Sequence, residues 1–548
     1  MRVYEIVAKT LAELGVKQVF GVIGSGNYEV TKSLVAHGAT YVAARHEGGA
    51  ASMADAYSQI SGSVPAISLH QGCGLTNAIT GITEAVKSST PMLILAAEVA
   101  ESSIHSNFRI AQDRLVESVG AESIRITRTT ASRDVALAYR IATNRRIPVL
   151  INLPLDVQSA ESDEHLAIPP ARISSVPPAV RPDSTQIDRL VELIHRAERP
   201  VIIAGRGGRN AGKELRELAS EGGALLATGA VVRGLFNGDP YYLDTAGGFS
   251  TPLAARCIQE SDLILAFGSA LNMWTMRHGE LIGPAATVVQ IDTDPLALGK
   301  HRPVDLGVVG DSALTARAIT DELRVRAKSK AGYRTTVIAE SIKKEGRWQT
   351  VPYEDLGTPE RIDPRTLTIA LDEILDKDRV VAVDSGNFLG YPSAFLEIPD
   401  ENSLVFSQSF QCVGLGLASA IGASYAKPDR LPVLGTGDGG ALMAAAEMES
   451  VVRLGLPMVV IVYNDAAYGA EVHHFGKNDS DQGFVSFPDT DFSAIARGYG
   501  FTAGSVRCVA DLDFVKEWLS GPRDTPLLID AKIASFASWW LEEAFKGH

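Results

Sequence analysis

Gly437-Asp438-Gly439-Gly440 is followed, 27 positions after Asp438, by Asp465 in Tyr463-Asn464-Asp465-Ala466-Ala467-Tyr468-Gly469. An apolar strand over residues 431–434 runs into the glycines, and an amphipathic segment spans residues 441–454. A second apolar strand, residues 458–463, ends at Asn464-Asp465. The pattern reads as strand–helix–strand with an acidic side chain at the end of each strand. Glycines let backbone N–H groups approach phosphate oxygens, and a pair of oxygen ligands suits Mg²⁺. Taken alone, a Gly-Asp-Gly turn is an ordinary strand-to-helix connection. Its surroundings have to decide.

Working outward, apolar strand segments and helical segments alternate along the whole chain, which predicts an α/β protein with parallel sheets. A first block opens with a helix at residues 3–14 and strands at 18–22, 66–69 and 92–96, and closes at Pro148-Val149-Leu150-Ile151-Asn152-Leu153-Pro154. Prolines at 169, 170, 177, 178 and 182 then mark an extended connector. A second block carries strands at 200–204, 224–228, 263–267 and 287–291. A charged stretch up to about residue 359 reads as a second linker, and the third block holds the Gly-Asp-Gly unit.

Composition narrows the functional classes. The 548 residues carry a formal net charge of −14, which argues against a broad nucleic-acid or anionic-membrane surface. No uncharged apolar run is long enough for a membrane span, and no secretory leader is expected ahead of the first helix. Cys73, Cys257, Cys412 and Cys508 are scattered without metal-ligand spacing, as expected of reduced thiols in the cytoplasm.

Three more segments accompany the Gly-Asp-Gly unit: Arg45-His46-Glu47-Gly48-Gly49-Ala50-Ala51, Asp384-Ser385-Gly386-Asn387, and Val413-Gly414-Leu415-Gly416-Leu417. In this order, and over nearly the whole chain, they resemble the thiamine-diphosphate (ThDP) enzymes, the family of acetolactate synthase, pyruvate decarboxylase and benzoylformate decarboxylase. The resemblance implies three α/β domains: pyrimidine-binding (1–167), central (184–326) and diphosphate-binding (360–548). It implies that the first and third share a topology. It also implies a small-molecule enzyme of at least two subunits, and a tetramer as the expected assembly, with each coenzyme lying between the first domain of one chain and the third domain of another.

The resemblance carries roles to particular residues. Asp438, Asp465 and the backbone carbonyl of Ala467 become Mg²⁺ ligands. Gly437, Gly439, Gly440, Ser385, Gly386 and Asn387 become the diphosphate cradle. Val413 props the coenzyme, and the Gln411 carbonyl accepts from its amino group. Glu47 becomes the carboxyl group that activates the aminopyrimidine, which requires a dry site to hold a proton at neutral pH; packing by Gly48, Gly49, Ala50, Ala51 and Ser52 is expected to supply it.

Substrate choice falls to positions that differ among relatives. His70, at the end of the strand 66–69, and Ser25, in Ile23-Gly24-Ser25-Gly26-Asn27, match the benzoylformate decarboxylase pattern. Gln71 and Cys73 are expected to shape the same wall. Glu471, six residues beyond Asp465, sits where pyruvate decarboxylases carry a catalytic glutamate, so His70 and Glu471 form a candidate acid–base pair. His473 and His474 read as part of a flap. Gly268-Ser269-Ala270-Leu271-Asn272-Met273-Trp274 replaces the FAD-associated pattern of biosynthetic acetolactate synthases, and the glycine-rich turn 205–210 is a weak candidate for an ADP or CoA moiety. The aromatic tail from Trp539 reads either as a lid or as a docked helix.

These features give one leading expectation: ThDP- and Mg²⁺-dependent cleavage or formation of a C–C bond through an enamine, as in a 2-oxo acid decarboxylase with carboligase capability. A 2-hydroxyacyl-CoA lyase and an FAD-independent acetolactate synthase are the alternatives within the family. A non-catalytic subunit of the same fold is the alternative outside it.

Overall fold

A computed structural model describes residues 1–162, 179–476 and 483–546. Most of the proline-rich connector and the last two residues of the tail lie outside the described residues. Three six-stranded sheets organise the chain, and every pairing between named strands is parallel. The first is built from β1 (Gln18–Gly21), β2 (Thr40–Ala43), β3 (Ala66–Leu69), β4 (Met92–Glu98), β5 (Glu122–Arg125) and β6 (Pro148–Pro154), in the order β2-β1-β3-β4-β6-β5. The second comprises β7 (Pro200–Ala204), β8 (Leu225–Thr228), β9 (Tyr242–Thr245), β10 (Leu263–Phe267), β11 (Thr287–Asp292) and β12 (Leu306–Val309), ordered β12-β11-β10-β7-β8-β9. The third comprises β13 (Arg379–Val383), β14 (Leu404–Phe406), β15 (Leu431–Gly437), β16 (Val459–Asn464), β17 (Thr502–Val506) and β18 (Leu527–Lys532), ordered β14-β13-β15-β16-β18-β17.

The outer sheets thus share one topology, as the resemblance implies. The central sheet instead has the doubly wound dinucleotide-fold order, reversing between β7 and β10. The apolar runs that betrayed the strands are buried on both faces: β4, β6, β7, β10 and β16 are solvent-inaccessible along nearly their whole length.

The outer two units pack on each other through helices Glu47–Ser61 and Gly416–Ala426, both rich in small residues. A Cβ at Gly422 would stand 2.0 Å from the Met53 carbonyl oxygen, so glycine sets this close approach. The central unit is pinned to the third by Arg233, which pairs with Asp244 and donates to the carbonyls of Ser393, Ala394 and Leu396 at the end of helix Gly390–Phe395. That guanidinium is 4% exposed, and its five donors have found acceptors.

Two local expectations need correction. The single helix expected at 441–454 is two, Asp438–Met443 and Glu447–Arg453, interrupted at residues 444–446. The stretch expected as a second linker is an ordered strap: Thr335 caps helix Thr336–Glu345, Arg347 pairs with Asp244, and Trp348 packs on Phe395 and Trp539. Aromatic anchors and the ion pairs of Arg334 and Arg347 hold a chain segment whose Lys343 and Lys344 face water.

Candidate active site

Most predicted site residues lie within four residues of the carboxyl end of a strand in one of the outer sheets, where open parallel sheets place ligands; Gln411, Val413 and Glu471 lie five to seven residues on. In the third unit, β15 delivers Asp438 and β16 delivers Asp465 one residue past its end. The Ala467 N–H faces both carboxylates. Its loop is fixed by an antiparallel bridge to Ser486, with Tyr468 N–H donating to Val485 and Phe487 N–H to Ala466. Ala466 holds a left-handed φ of 58°, uncommon for a residue with a side chain. Room for Asp465 comes from Gly469, where a Cβ would stand 2.3 Å from the carboxylate.

Burial lifts the Asp438 carboxyl to about 6. Burial, reinforced by the charge of Asp438, lifts Asp465 to about 7. Two buried carboxylates turned on one another want a cation between them. Among the described residues no three His, Cys, Asp or Glu side chains cluster as a cage. Two carboxylates plus backbone suit a cation that keeps phosphate and water in its shell, the habit of Mg²⁺.

Asp384 organises the neighbouring turns. Its carboxylate accepts from the N–H of Ser385 at 2.9 Å and of Gly414 at 3.0 Å, and from the Thr436 hydroxyl at 3.1 Å. A Cβ at Gly440 would stand 2.4 Å from it, and one at Gly416 would meet its own Cβ at 2.6 Å. The sequence presented Asp384 without a role; the glycines spaced around its buried carboxylate were the available signal. Gln411 adopts φ 57°, Ser385 Oγ reaches its carbonyl at 3.5 Å, and Val413 stands 36% exposed. Asn387 is turned away from this group: its amide donates to the Phe536 carbonyl and accepts from Ser538 N–H, and its turn does not lead straight into a helix.

In the first unit, Glu47 opens helix Glu47–Ser61 and accepts from Asn77 Nδ2 at 3.0 Å. Ala50, Ala51 and Ser52 pack inward while Glu47 stays half-exposed, so the expected shielding does not come from its own helix. Glu47 is the first residue of that helix, and the Cα–Cβ bond there tilts toward the helix N-terminus, off the packed turns and beside Asn77. His70 lies over Gly24, where a Cβ would stand 2.2 Å from the ring. Its Nδ1 is 3.1 Å from the Gln71 carbonyl, an acceptor, which leaves Nε2 facing Ser25 Oγ at 3.5 Å. Phe108 meets the ring edge-on at 4.9 Å, and Cys73 Sγ lies 4.0 Å from Nδ1.

Ser25, Glu47 and His70 thus form one group; Ser385, Gln411, Asp438 and Asp465 form another. Among the described residues no hydrogen bond joins the two. Glu471 lies on helix Gly469–Phe475, half-exposed and unconnected to His70. His473 reaches Ser535, and His474 stacks on Phe545 at 3.9 Å. The tail is docked: Trp540 is buried against Phe249 and Tyr391, and Trp539 donates to the Gly248 carbonyl. In the central unit, the turn after β7 packs backbone to backbone on the turn after β10, with Gly207 N–H donating to the Gly268 carbonyl. The glycines of 205–208 serve that contact.

Three family models match in order: the N-terminal TPP-binding domain of thiamine pyrophosphate enzymes over residues 1–118, their central domain over 187–319, and their C-terminal TPP-binding domain over 384–531. The chain belongs to the thiamine pyrophosphate enzymes. Thiamine diphosphate, the same compound, is its coenzyme. A probable acetolactate synthase large subunit of Methanocaldococcus jannaschii is 28% identical, the alignment covering 97% of this chain and 92% of that protein. The chloroplastic acetolactate synthase of Arabidopsis thaliana is 26% identical over 95% of this chain and 79% of its own. A solved thiamine diphosphate-dependent 4-hydroxybenzoylformate decarboxylase of Rhodococcus jostii RHA1 superposes with a TM-score of 0.81 over 98% of this chain and 100% of its own, at 23% identity, and so shares its fold. Within the enzyme, the buried carboxylate pair suits a diphosphate-bound cation, and the half-exposed Glu47 suits a ring nitrogen. The described helices include none long and apolar enough to cross a membrane.

Proposed function

We propose that this enzyme is a Mg²⁺-dependent 2-oxo acid decarboxylase with carboligase capability. Thiamine diphosphate, when bound, supplies the electron sink for the pair left when the bond to the departing CO₂ breaks. The protein supplies the rest. Asp438 and Asp465, with the Ala467 carbonyl, hold the cation. Gly437, Gly439, Gly440, Ser385 and Gly386 present backbone to the diphosphate, while Asn387 holds the tail against that turn. Gln411 and Val413 orient the ring system. Glu47 holds a proton at the aminopyrimidine nitrogen, using the oxygen that Asn77 does not occupy.

One observation carries the choice of substrate class: the Ser25–His70 pair at the carboxyl ends of β1 and β3. With Nδ1–H donated to the Gln71 carbonyl, Nε2 is the acceptor nitrogen of the neutral ring; it takes a proton from solvent and passes it to the carbon that has lost CO₂, and Ser25 can hold the substrate carboxylate before it leaves. Glu471 is the second proton carrier, brought opposite His70 from another subunit. A dimer is the minimum active unit and a tetramer the assembly, the arrangement that the family resemblance implies. Four free cysteines fit a cytoplasmic protein.

The acetolactate synthase relatives favour a second reading, condensation of two 2-oxo acids without FAD. For the CoA-lyase reading, the glycines of 205–208 are closed on the turn at Gly268 and do not themselves present a nucleotide site. A panel of aliphatic and aromatic 2-oxo acids, scored for CO₂, aldehyde and acetolactate, separates them. CO₂ and aldehyde in equal amounts from single acids support the decarboxylase. Acetolactate from pyruvate as the main product replaces it with the second reading.

A further inference from the structure

Two buried carboxylates outside the coenzyme-facing set cross between the outer units of one chain. Glu84, on helix Cys73–Lys87, is 1% exposed, and its two oxygens accept the N–H groups of Ser409 at 3.0 Å and Phe410 at 2.7 Å. Glu447, opening helix Glu447–Arg453, is 3% exposed. One of its oxygens accepts from the N–H groups of Arg45 at 3.0 Å and His46 at 3.1 Å, and the other from the Ser450 hydroxyl at 2.6 Å. Each carboxylate therefore ends on backbone belonging to the opposite unit. Each segment it holds leads directly into a coenzyme-facing residue: His46 into Glu47, Phe410 into Gln411 and on to Val413.

The glycine pattern supports the same picture. A Cβ at Gly49 would stand 2.4 Å from Glu447 Oε1, so the second glycine of Glu47-Gly48-Gly49 is what admits the carboxylate. The contact is reinforced on the Glu447 side, where Arg453 donates to the Ala43 carbonyl and Arg45 pairs with Glu449. A carboxyl group placed this deep is retained only where it is hydrogen-bonded: both have backbone donors, and burial, reinforced by the charge of Asp55, pushes Glu84 up to about 7.

We propose that Glu84 and Glu447 are reciprocal positioning residues, each setting, from the opposite unit, the backbone of a turn that faces the coenzyme. The proposal rests on the reading that the Glu47 turn and the Gln411–Val413 turn face the coenzyme. If those turns serve two coenzymes, as the cross-subunit arrangement requires, then one chain's helix contact sets the geometry of both sites. Displacing a reacting group by about 1 Å costs on the order of 10²-fold in rate, so such a clamp is worth having.

The two clamps make different demands on a conservative change. Glu447 uses one oxygen for both N–H groups, so a glutamine keeps its carbonyl there and turns its NH₂ to the Ser450 oxygen. Glu84 uses both oxygens as acceptors, so a glutamine sets an NH₂ against an N–H. Glu447→Gln is therefore tolerated where Glu447→Ala is not, and Glu84→Gln is already disruptive.

The test is amide hydrogen exchange on the full-length holoenzyme, with ThDP and Mg²⁺ bound, alongside ThDP titration and steady-state kinetics. Glu84→Gln should speed exchange at residues 409–410 about tenfold or more, leave 45–46 protected, and raise the ThDP dissociation constant roughly tenfold. Glu447→Ala should speed exchange at 45–46 and lower kcat with little change in ThDP affinity, and Glu447→Gln should restore both. Should Glu447→Ala fail to fold, Gly49→Ala displaces the same carboxylate and should give the same exchange at 45–46. Protection unchanged at these amides, or raised exchange spread evenly over the chain, overturns the proposal. So does local release that leaves both kcat and ThDP affinity unchanged. Full turnover of Glu47→Gln would instead sink the coenzyme-facing reading and leave the exchange result standing.

Discussion

The first and third sheets have the same strand order and carry opposite chemistry at the same ends. In the first unit the carboxyl ends of β1, β2 and β3 lead to a hydroxyl, a carboxyl and an imidazole, with Glu47 only half-buried and no cation-seeking pair. In the third, the ends of β13, β15 and β16 lead to Asp384, Asp438 and Asp465, all set among glycines. In the proposed function one surface takes an organic ring and a proton, the other phosphate and a metal. The difference teaches that the scaffold decides where a site lies, while the first residues beyond each strand decide what it does.

The comparison breaks most easily at the metal. Asp438→Ala should abolish the thermal shift given by ThDP with Mg²⁺ and lower activity by roughly 10³-fold or more, because several kcal/mol of charge stabilisation leaves with the ion. Glu47→Gln should lower kcat by about 10²- to 10³-fold while ThDP with Mg²⁺ still stabilises the protein, since the proton function alone is lost. Equal loss of coenzyme binding in both variants would erase the division of labour. His70→Ala should cost about 10²-fold in kcat for decarboxylation, read in steady-state kinetics on the 2-oxo acid.

Smaller effects sharpen the picture. Arg233→Ala should destabilise the protein by about 3 kcal/mol in denaturant titration, because buried Asp244 keeps only Arg347 as an ion-pair partner and the carbonyls of Ser393, Ala394 and Leu396 lose their donor, with no direct effect on the chemistry. A pH series probes the buried acids. Asp438 and Asp384 are raised to about 6, and Asp465 to about 7, chiefly by burial. The folded apo-protein then holds protons that the unfolded chain has released above about pH 4. Stability from these groups is complete below that pH and falls as pH rises through 6 to 7. A cation needs the ionised pair, so stabilisation by Mg²⁺ with ThDP should be slight at pH 5 and large at pH 7.5. A shift independent of pH would show that the pair is not the cation site.

Much of this was legible in the sequence. The apolar runs at 200–204 and 263–267 mark strands β7 and β10 to the residue, because both faces of those strands are covered. The edge strands β5, β9, β12, β14 and β17 gave no such signal: they are short, and β5, β12 and β17 are only partly buried. The Asp438–Asp465 pair could be read from spacing, since both ends of a strand–helix–strand unit must converge. Asp384 could not, because its partners come from residues 385, 414 and 436 and only folding gathers them. The dry surroundings expected of Glu47 were misassigned to its own helix. Within one chain its carboxylate faces outward with Asn77, and what covers it must come from elsewhere.

That last point meets the central proposal, in which the coenzyme site is completed by two chains. Subunit complementation tests it directly. Glu47→Gln and Asp438→Ala enzymes, each nearly inactive, are mixed, dissociated and reassembled with ThDP and Mg²⁺. In a mixed dimer one site receives both changes and the other receives neither. Recovery of about a quarter of wild-type activity is the predicted result, from random pairing in which half the dimers are mixed. Activity that stays at the level of the two separate variants, with mixed dimers demonstrated by mass, would contradict it and place both halves of the site in a single chain.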